Sequence, residues 1–321
     1  MTGSTKPPPH APEAGLMQKF LGRFHVTGVF WYKFLNFGVS ILPRGAWNLI
    51  VPPFISFFFV ALIKIRRAIA SNLEAVLGPC GWMEAQRRIF RTMWEFSWCF
   101  LERAESMSGK RHVTFSIDGE EIWNELTGSD SGFITLTAHI GNWETGARVP
   151  SSKSERTVHL VREREIDPRA QEFIRGLIED QAQDIKFKVH FAAGGDPSLG
   201  TELLNAVRDG NIVALQGDRP RSGGRTESVK LFGRPFDLPV GPAVLARVAG
   251  VPLMPIFVFR EGRLHSRIVI RDVIEVDRSR NREADVSAAL AKVAANLEWA
   301  IRERPHQWFC FRELWPPGPA R

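Results

Sequence analysis

Tyrosine and cysteine are nearly missing from this chain of 321 residues, which has one Tyr and three Cys against 23 Phe and 10 Trp. Cys80, Cys99 and Cys310 are odd in number and scattered, without a C-x-x-C pair. That pattern argues against a disulfide framework or a zinc knuckle and points to a reducing, cytoplasmic setting. Also absent are G-x-S-x-G, G-x-x-x-x-G-K-[ST], H-E-x-x-H and a G-x-G-x-x-G after a strand. Their absence weighs against a serine hydrolase, a P-loop NTPase, a zinc protease and a dinucleotide enzyme. Metal-ligand spacing is lacking throughout. No apolar stretch follows closely behind a basic start, so no secretory signal is expected.

What is present is a basic, aromatic chain. Lys and Arg number 42 against 35 Asp and Glu, a net charge of +7, which favours anionic partners. Residues 1–15 are Pro-rich and polar and are read as a disordered tail, and residues 316–321 as a tail. The stretch 46–63, AWNLIVPPFISFFFVALI, runs 18 residues without a charge, bordered by Arg44, Lys64, Arg66 and Arg67. Its length just suffices to span a bilayer as a helix, but Pro52 and Pro53 should break or kink such a span. Three readings stand: a span or re-entrant hairpin, an interfacial segment anchored by Trp31, Tyr32 and Trp47, or a buried core helix. We therefore read residues 16–66 as a membrane anchor or interfacial segment, without an orientation.

Beyond it, 66–77 and 82–107 carry apolar residues at helical spacing. From about residue 111 short strands alternate with helices, at 112–117, 132–138, 157–162, 211–216, 252–260 and 264–270. Helices are expected after Asp167-Pro168 and Asp196-Pro197, each an acid followed by Pro. Another should run from Pro239 to Gly250, and a last one over 283–302. This alternation implies an α/β fold with a mixed, largely parallel central sheet flanked by helices, preceded by the N-terminal helical segment.

The chemistry concentrates in GFITLTAHIGNWE, residues 132–144. An apolar strand delivers His139 at its C-terminal end, where ligands of open α/β sheets bind. On one continuous helix, His139 and Glu144 would point about 140° apart. With His139 still in the turn, its ring can fold back toward Glu144, which would fix the imidazole tautomer and leave the other nitrogen as a base. No Ser or Cys nucleophile stands beside it, so the pair suits activation of a substrate hydroxyl. The backbone N–H groups of Gly141 and Asn142 are candidate donors to an oxyanion or a phosphate. Asp218 and Arg219 follow another strand and belong on the same sheet edge, Asp218 for positioning and Arg219 for a phosphate or carbonyl contact. Arg162 ends a third strand and can face the same cleft, as a further substrate-binding candidate. Residues 219–234 read as a flexible basic loop carrying Arg219, Arg221, Arg225, Lys230 and Arg234. His112, His159 and His190 read as packing residues.

TAHIGNWE resembles the His-x4-Asp/Glu signature of the lysophospholipid acyltransferase superfamily. The likeness is to the branch of bacterial lipid A late acyltransferases and mycobacterial phosphatidylinositol mannoside acyltransferases. RAIASNL (67–73), VHLVR (158–162), GNIVALQGDR (210–219), Phe232-Gly233-Arg234, LPVGPAVLA (238–246), GVPLMP (250–255) and RPHQWFCFR (304–312) resemble family stretches in order, covering about residues 60–315. The resemblance implies an acyltransferase domain over 67–315. It implies an O-acyltransferase moving a fatty acyl chain from an acyl carrier protein or CoA thioester to a hydroxyl of a membrane lipid or glycolipid. It also implies work at the cytoplasmic face of a bacterial inner membrane. That chemistry requires no metal or cofactor beyond the thioester co-substrate. A non-catalytic lipid- or carrier-binding relative is the alternative, against which the intact His139 and Glu144 speak. A nucleic-acid partner is not expected, because only the charge suggests it.

Overall fold

A computed structural model describes residues 29–108, 113–146, 154–163, 169, 171–172, 175–176, 186–192, 198–220 and 224–315. Both tails, Asp167-Pro168 and Asp196-Pro197 lie outside the described residues.

The N-terminal part is helical: α1 (Val29–Ile41), α2 (Trp47–Ala61), α3 (Ile63–Leu77) and α4 (Trp82–Met107). These helices share one apolar core that includes Trp47, Val51, Ile55, Ile69, Leu73, Met93 and Leu101. Pro52 and Pro53 do not break α2. The chain turns instead at Leu62, at φ −94° and ψ 60°, and α2 and α3 meet there at 89°. No single helix among the described residues is long and apolar enough to cross a membrane, although the bent α2–α3 pair together reaches the length and composition. Trp47 does not serve as an interfacial anchor. It is buried and its ring fills the space beside Gly38, where an added Cβ would sit 2.9 Å from it. The side chains of Trp31 and Tyr32 lie outside the described set. A boundary at residue 66 runs through α3.

The remainder is the expected α/β layer. Its elements are β1 (Thr114–Asp118), α5 (Glu120–Gly128), β2 (Phe133–Thr137), α6 (Trp143–Gly146), β3 (Val158–Glu163), β4 (Phe187–Ala192), α7 (Ser198–Arg208) and β5 (Ile212–Gln216). They continue with β6 (Thr226–Leu231), β7 (Arg234–Pro239), α8 (Gly241–Ala249), β8 (Leu253–Gly262), β9 (His265–Ile270) and α9 (Arg282–Glu303). Among the described residues the main sheet has seven strands in the order β1-β9-β8-β2-β5-β3-β4. Every neighbouring pair is parallel except β8 with β9. The central strand β2 has Phe133 and Ile134 fully buried, as a parallel strand covered on both faces requires. The Asn281 side chain caps α9 by accepting from Ala284 N at 3.1 Å, and left-handed Gly250 ends α8.

Two features differ from the sequence expectation. β4 was not anticipated. The segment read as a flexible basic loop is, over its described residues, largely an antiparallel hairpin, β6–β7. Its turn is closed by Phe232 and Gly233, both at positive φ. The helical and α/β parts are joined at Asn72 of α3. Its buried amide donates to Cys310 O and Arg312 O and accepts from Leu314 N, which gives the Asn of RAIASNL a structural task.

Candidate active site

β2 and β5 are adjacent and parallel, with Thr137 opposite Gln216. One residue on, Gly217 N donates to Thr137 O at 2.9 Å. His139 and Asp218 therefore leave the sheet side by side at its C-terminal edge, from chain segments 79 residues apart. His139 Nδ1 lies 2.7 Å from Asp218 Oδ1, and the His139 backbone N–H donates to Asp218 Oδ2 at 3.2 Å. Asp218 is 1% exposed. Burial alone would raise its carboxyl, but His139 and then Arg219 overcome this and hold it far below the usual carboxylate range. An ionised, buried carboxylate demands proton donors, so Nδ1 carries the proton and donates to Oδ1. In a neutral ring of this tautomer the lone pair is on Nε2, to which nothing bonds among the described residues.

The expected contact between His139 and Glu144 is not made. Glu144 lies in the first turn of α6, where its carboxylate takes Arg103 Nε on one oxygen and Arg162 Nη1 on the other, the latter at 2.9 Å. Burial opposes its ionisation, yet Arg103 and Arg162 outweigh burial and keep its carboxyl below the usual range, with His139 adding a smaller pull through space. Trp143, between them in sequence, lays its ring against the imidazole at 5.2 Å between centroids. Glu144 thus organises two arginines next to the histidine. Arg162 is brought to the site as expected.

Gly141 and Asn142 do not offer free donors. Gly141 N donates to Gln307 O at 2.9 Å and Asn142 N to Val258 O at 3.1 Å, so an oxyanion would have to displace backbone partners. The Asn142 side chain is buried and donates to Glu102 Oε2 and Ser266 Oγ, each at 2.9 Å. Gly141 is required as glycine because its φ is +55° and an added Cβ would stand 2.1 Å from Val258 O. Both residues shape the turn. Arg219 stands as expected at the edge, its Nε 3.1 Å from His139 Nδ1 and its Nη2 3.4 Å from Phe309 O. With the Nδ1 proton aimed at Asp218, Arg219 is left close to the imidazole without a proton acceptor on it, able to turn toward a substrate.

Sequence reasoning missed Glu102 and Arg103, and gave residues 307–309 no role beyond their place in a family-like ending. Fully buried Glu102 of α4 also accepts from Arg260 Nε and Leu264 N, both at 3.1 Å, and so ties the helical layer to the turn after β2. His159 and His190 are stacked with ring centroids 5.1 Å apart, His159 Nδ1 lying 3.0 Å from His190 Nε2 and His190 Nδ1 3.2 Å from a Glu202 carboxylate oxygen, a polar pair on β3 and β4 that is not bonded to the His139 cluster. Among the described residues no cluster of His, Cys, Asp and Glu could hold a metal ion.

An apolar cavity of about 310 Å³ opens between α1, α2, α3 and α4, lined by Phe34, Val51, Ile55, Met93, Phe96 and Phe311 among others. Aromatic contacts connect it to the histidine: Phe96 to Phe309 at 5.2 Å, Phe309 to Trp143 at 6.0 Å, and Trp143 to His139.

Residues 17–316 match the family model described as bacterial lipid A biosynthesis acyltransferase. Over 256 residues the chain is 31% identical to the phosphatidylinositol mannoside acyltransferase of Mycobacterium tuberculosis (strain CDC 1551 / Oshkosh), a match covering 78% of this chain and 75% of that protein. The phosphatidylinositol mannoside acyltransferase of Mycolicibacterium smegmatis is 27% identical over 201 residues, 62% of this chain and 61% of that protein. The crystal structure of the 1-acyl-sn-glycerophosphate acyltransferase from Thermotoga maritima aligns with 82% of this chain and 100% of its own, at 13% identity and a TM-score of 0.37.

Proposed function

Since the chain belongs to the bacterial lipid A biosynthesis acyltransferase family and is an acyltransferase, we propose that it transfers a fatty acyl chain from a phosphopantetheine thioester to a hydroxyl of a membrane glycolipid, with His139 as the base. The observation that carries this is the contact of His139 Nδ1 with buried Asp218, which leaves Nε2 as the acceptor. Nε2 takes the proton of the lipid hydroxyl as its oxygen attacks the thioester carbonyl. The tetrahedral intermediate then collapses, the C–S bond breaks, and the sulfur leaves with the proton held on Nε2. An ester and a free thiol result, and no covalent acyl-enzyme is needed. Asp218 orients the ring and stabilises the imidazolium that forms in between.

Arg219 and Arg162 are placed to meet anionic parts of the substrates, Glu144 holding Arg162 and Arg103 at the site. Arg225, just before the β6–β7 hairpin, and Lys230 and Arg234 on it add basic residues to the chain after Arg219 and suit either a CoA or an acyl carrier protein donor. The fatty chain fits the apolar cavity, whose lining holds no charged group. Beside that cavity, Phe37 and Ile41 of α1 and Leu49, Phe57 and Val60 of α2 are exposed. A soluble surface rarely carries such a patch; with exposed Lys64 and Arg67 next to it, it suits docking on an anionic bilayer at the cytoplasmic face of an inner membrane.

The test uses purified full-length protein in mixed micelles with a phosphatidylinositol mannoside or a lipid A precursor, and products read by mass spectrometry. Parallel arms supply palmitoyl-CoA or palmitoyl-acyl carrier protein. An acceptor heavier by one acyl group, formed in either arm, supports the reading and names the donor. Free fatty acid alone, or no product in any arm, contradicts it. Val51→Trp, which fills part of the cavity wall, is expected to shift the preferred donor toward shorter chains in a competition among thioesters.

A further inference from the structure

The C-terminal residues Gln307, Trp308 and Phe309 form a strap across the turn that carries His139. Ile140 and Trp308 pair as an antiparallel bridge. Gly141 N donates to Gln307 O and Phe309 N to His139 O, both at 2.9 Å. The strap is itself fixed: the Gln307 side chain accepts from Arg260 N at 2.8 Å and donates to Arg260 O at 2.7 Å. From this platform the indole of Trp308, buried, donates from Nε1 to Asp218 Oδ2 at 3.2 Å.

A carboxylate turns readily about its terminal bond, and Asp218 has a competing partner, Arg219 Nε, 3.9 Å from Oδ2. Two neutral N–H groups, the indole of Trp308 and the backbone of His139, hold Oδ2. With that oxygen engaged, Oδ1 is presented to the imidazole. We propose that Trp308 is a positioning residue of the acyl-transfer site, its indole N–H holding Asp218 in the rotation that serves His139. This rests on the acyltransferase reading above. Removing the N–H leaves Oδ2 with the backbone donor alone and frees the carboxylate to swing toward Arg219 and off the histidine.

The experiment measures kcat and KM of thioester-dependent lipid acylation, with melting temperature, for the full-length wild type, Trp308→Phe, Asp218→Asn and the double variant. Trp308→Phe is expected to lower kcat about tenfold, the scale of one hydrogen bond to a charged group, with KM for the thioester within about twofold. In the Asp218→Asn background the same substitution should cost nothing further, because the group it acts through is already gone. Should Trp308→Phe fail to fold, benzothienylalanine at position 308 keeps the ring shape while replacing N–H by sulfur, and the same kcat loss is expected. Unchanged kcat in the variant that folds overturns the proposal. So does a loss of equal size in the Asp218→Asn background, which a purely structural tryptophan would give. A wild type without acyl transfer, or His139→Ala with full transfer, sinks the acyltransferase reading instead. Transfer that depends on His139 but ignores Trp308 sinks only the positioning role.

Discussion

His139→Ala is expected to lower kcat for acyl transfer by about 10²–10⁴-fold, the scale of a lost general base. The fold should survive, because the side chain lies in the turn after β2 at 20% exposure and its residue's structural bonds are backbone ones, to Phe309 and Asp218. Asp218 keeps Trp308 and Arg219 as neighbours, so its charge is not stranded. Donor binding, which is assigned to arginines and the apolar cavity, should change little. KM for the thioester within a fewfold of wild type, a melting temperature lowered far less than the activity, and a collapsed kcat make up the expected result. A variant retaining wild-type kcat removes the histidine from the chemistry.

Asp218→Asn should approach the same loss, about 10²–10⁴-fold at neutral pH, through the proton's position rather than through missing atoms. The two N–H groups now bonded to Oδ2 will select the amide oxygen of an asparagine. Its NH₂ then faces His139 Nδ1, which must accept. The ring proton is displaced to Nε2, the nitrogen that has to take the hydroxyl proton, and a base with its lone pair turned inward cannot act. Volume and burial are nearly unchanged, so stability should fall far less than activity. Steady-state kinetics beside thermal melts separate the two, and equal loss of both would mean that Asp218 is structural. Glu144→Gln works differently. It removes the negative charge that Arg103 and Arg162 share but leaves the Nδ1 proton where it is, since no hydrogen bond joins Glu144 to the ring.

Much of this was readable in the sequence because it depends on local pattern. The continuous apolar run of β2 and the turn after it put His139 on the C-terminal edge of a sheet, and that is where it lies. Asp218 and Arg219 were placed on the same edge for the same reason. What escaped is which carboxylate touches the ring. Spacing within one segment favoured Glu144, whereas the contact comes from the register of β2 against β5, a pairing across 79 residues. One signal did exist: His139 and Asp218 each stand two residues past the end of their strands, so in-register pairing puts them together. Trp308 entered only as part of a family-like ending, because a buried indole looks like core until its donor is traced to Asp218. Glu102 sits within a long amphipathic helix and differs from exposed glutamates only by the face it occupies. The β6–β7 hairpin was hidden by its charge and by Phe232 in a left-handed turn position, where the sequence signature would be Asn or Gly. In α2, Pro52 and Pro53 suggested a break, but the helix runs through them and the chain bends at Leu62.

The tautomer of His139 tests the central claim most directly, because it decides whether Nε2 can act as a base. Nitrogen-15 NMR of ring-labelled histidine, with His139 assigned through His139→Ala, reads the proton's location in the resting protein at neutral pH. The account predicts a protonated, pyrrole-type Nδ1 and an unprotonated, pyridine-type Nε2 in the wild type and in Glu144→Gln, and the reverse in Asp218→Asn. A wild-type ring protonated on Nε2, with Nδ1 accepting from Arg219 instead, would contradict it.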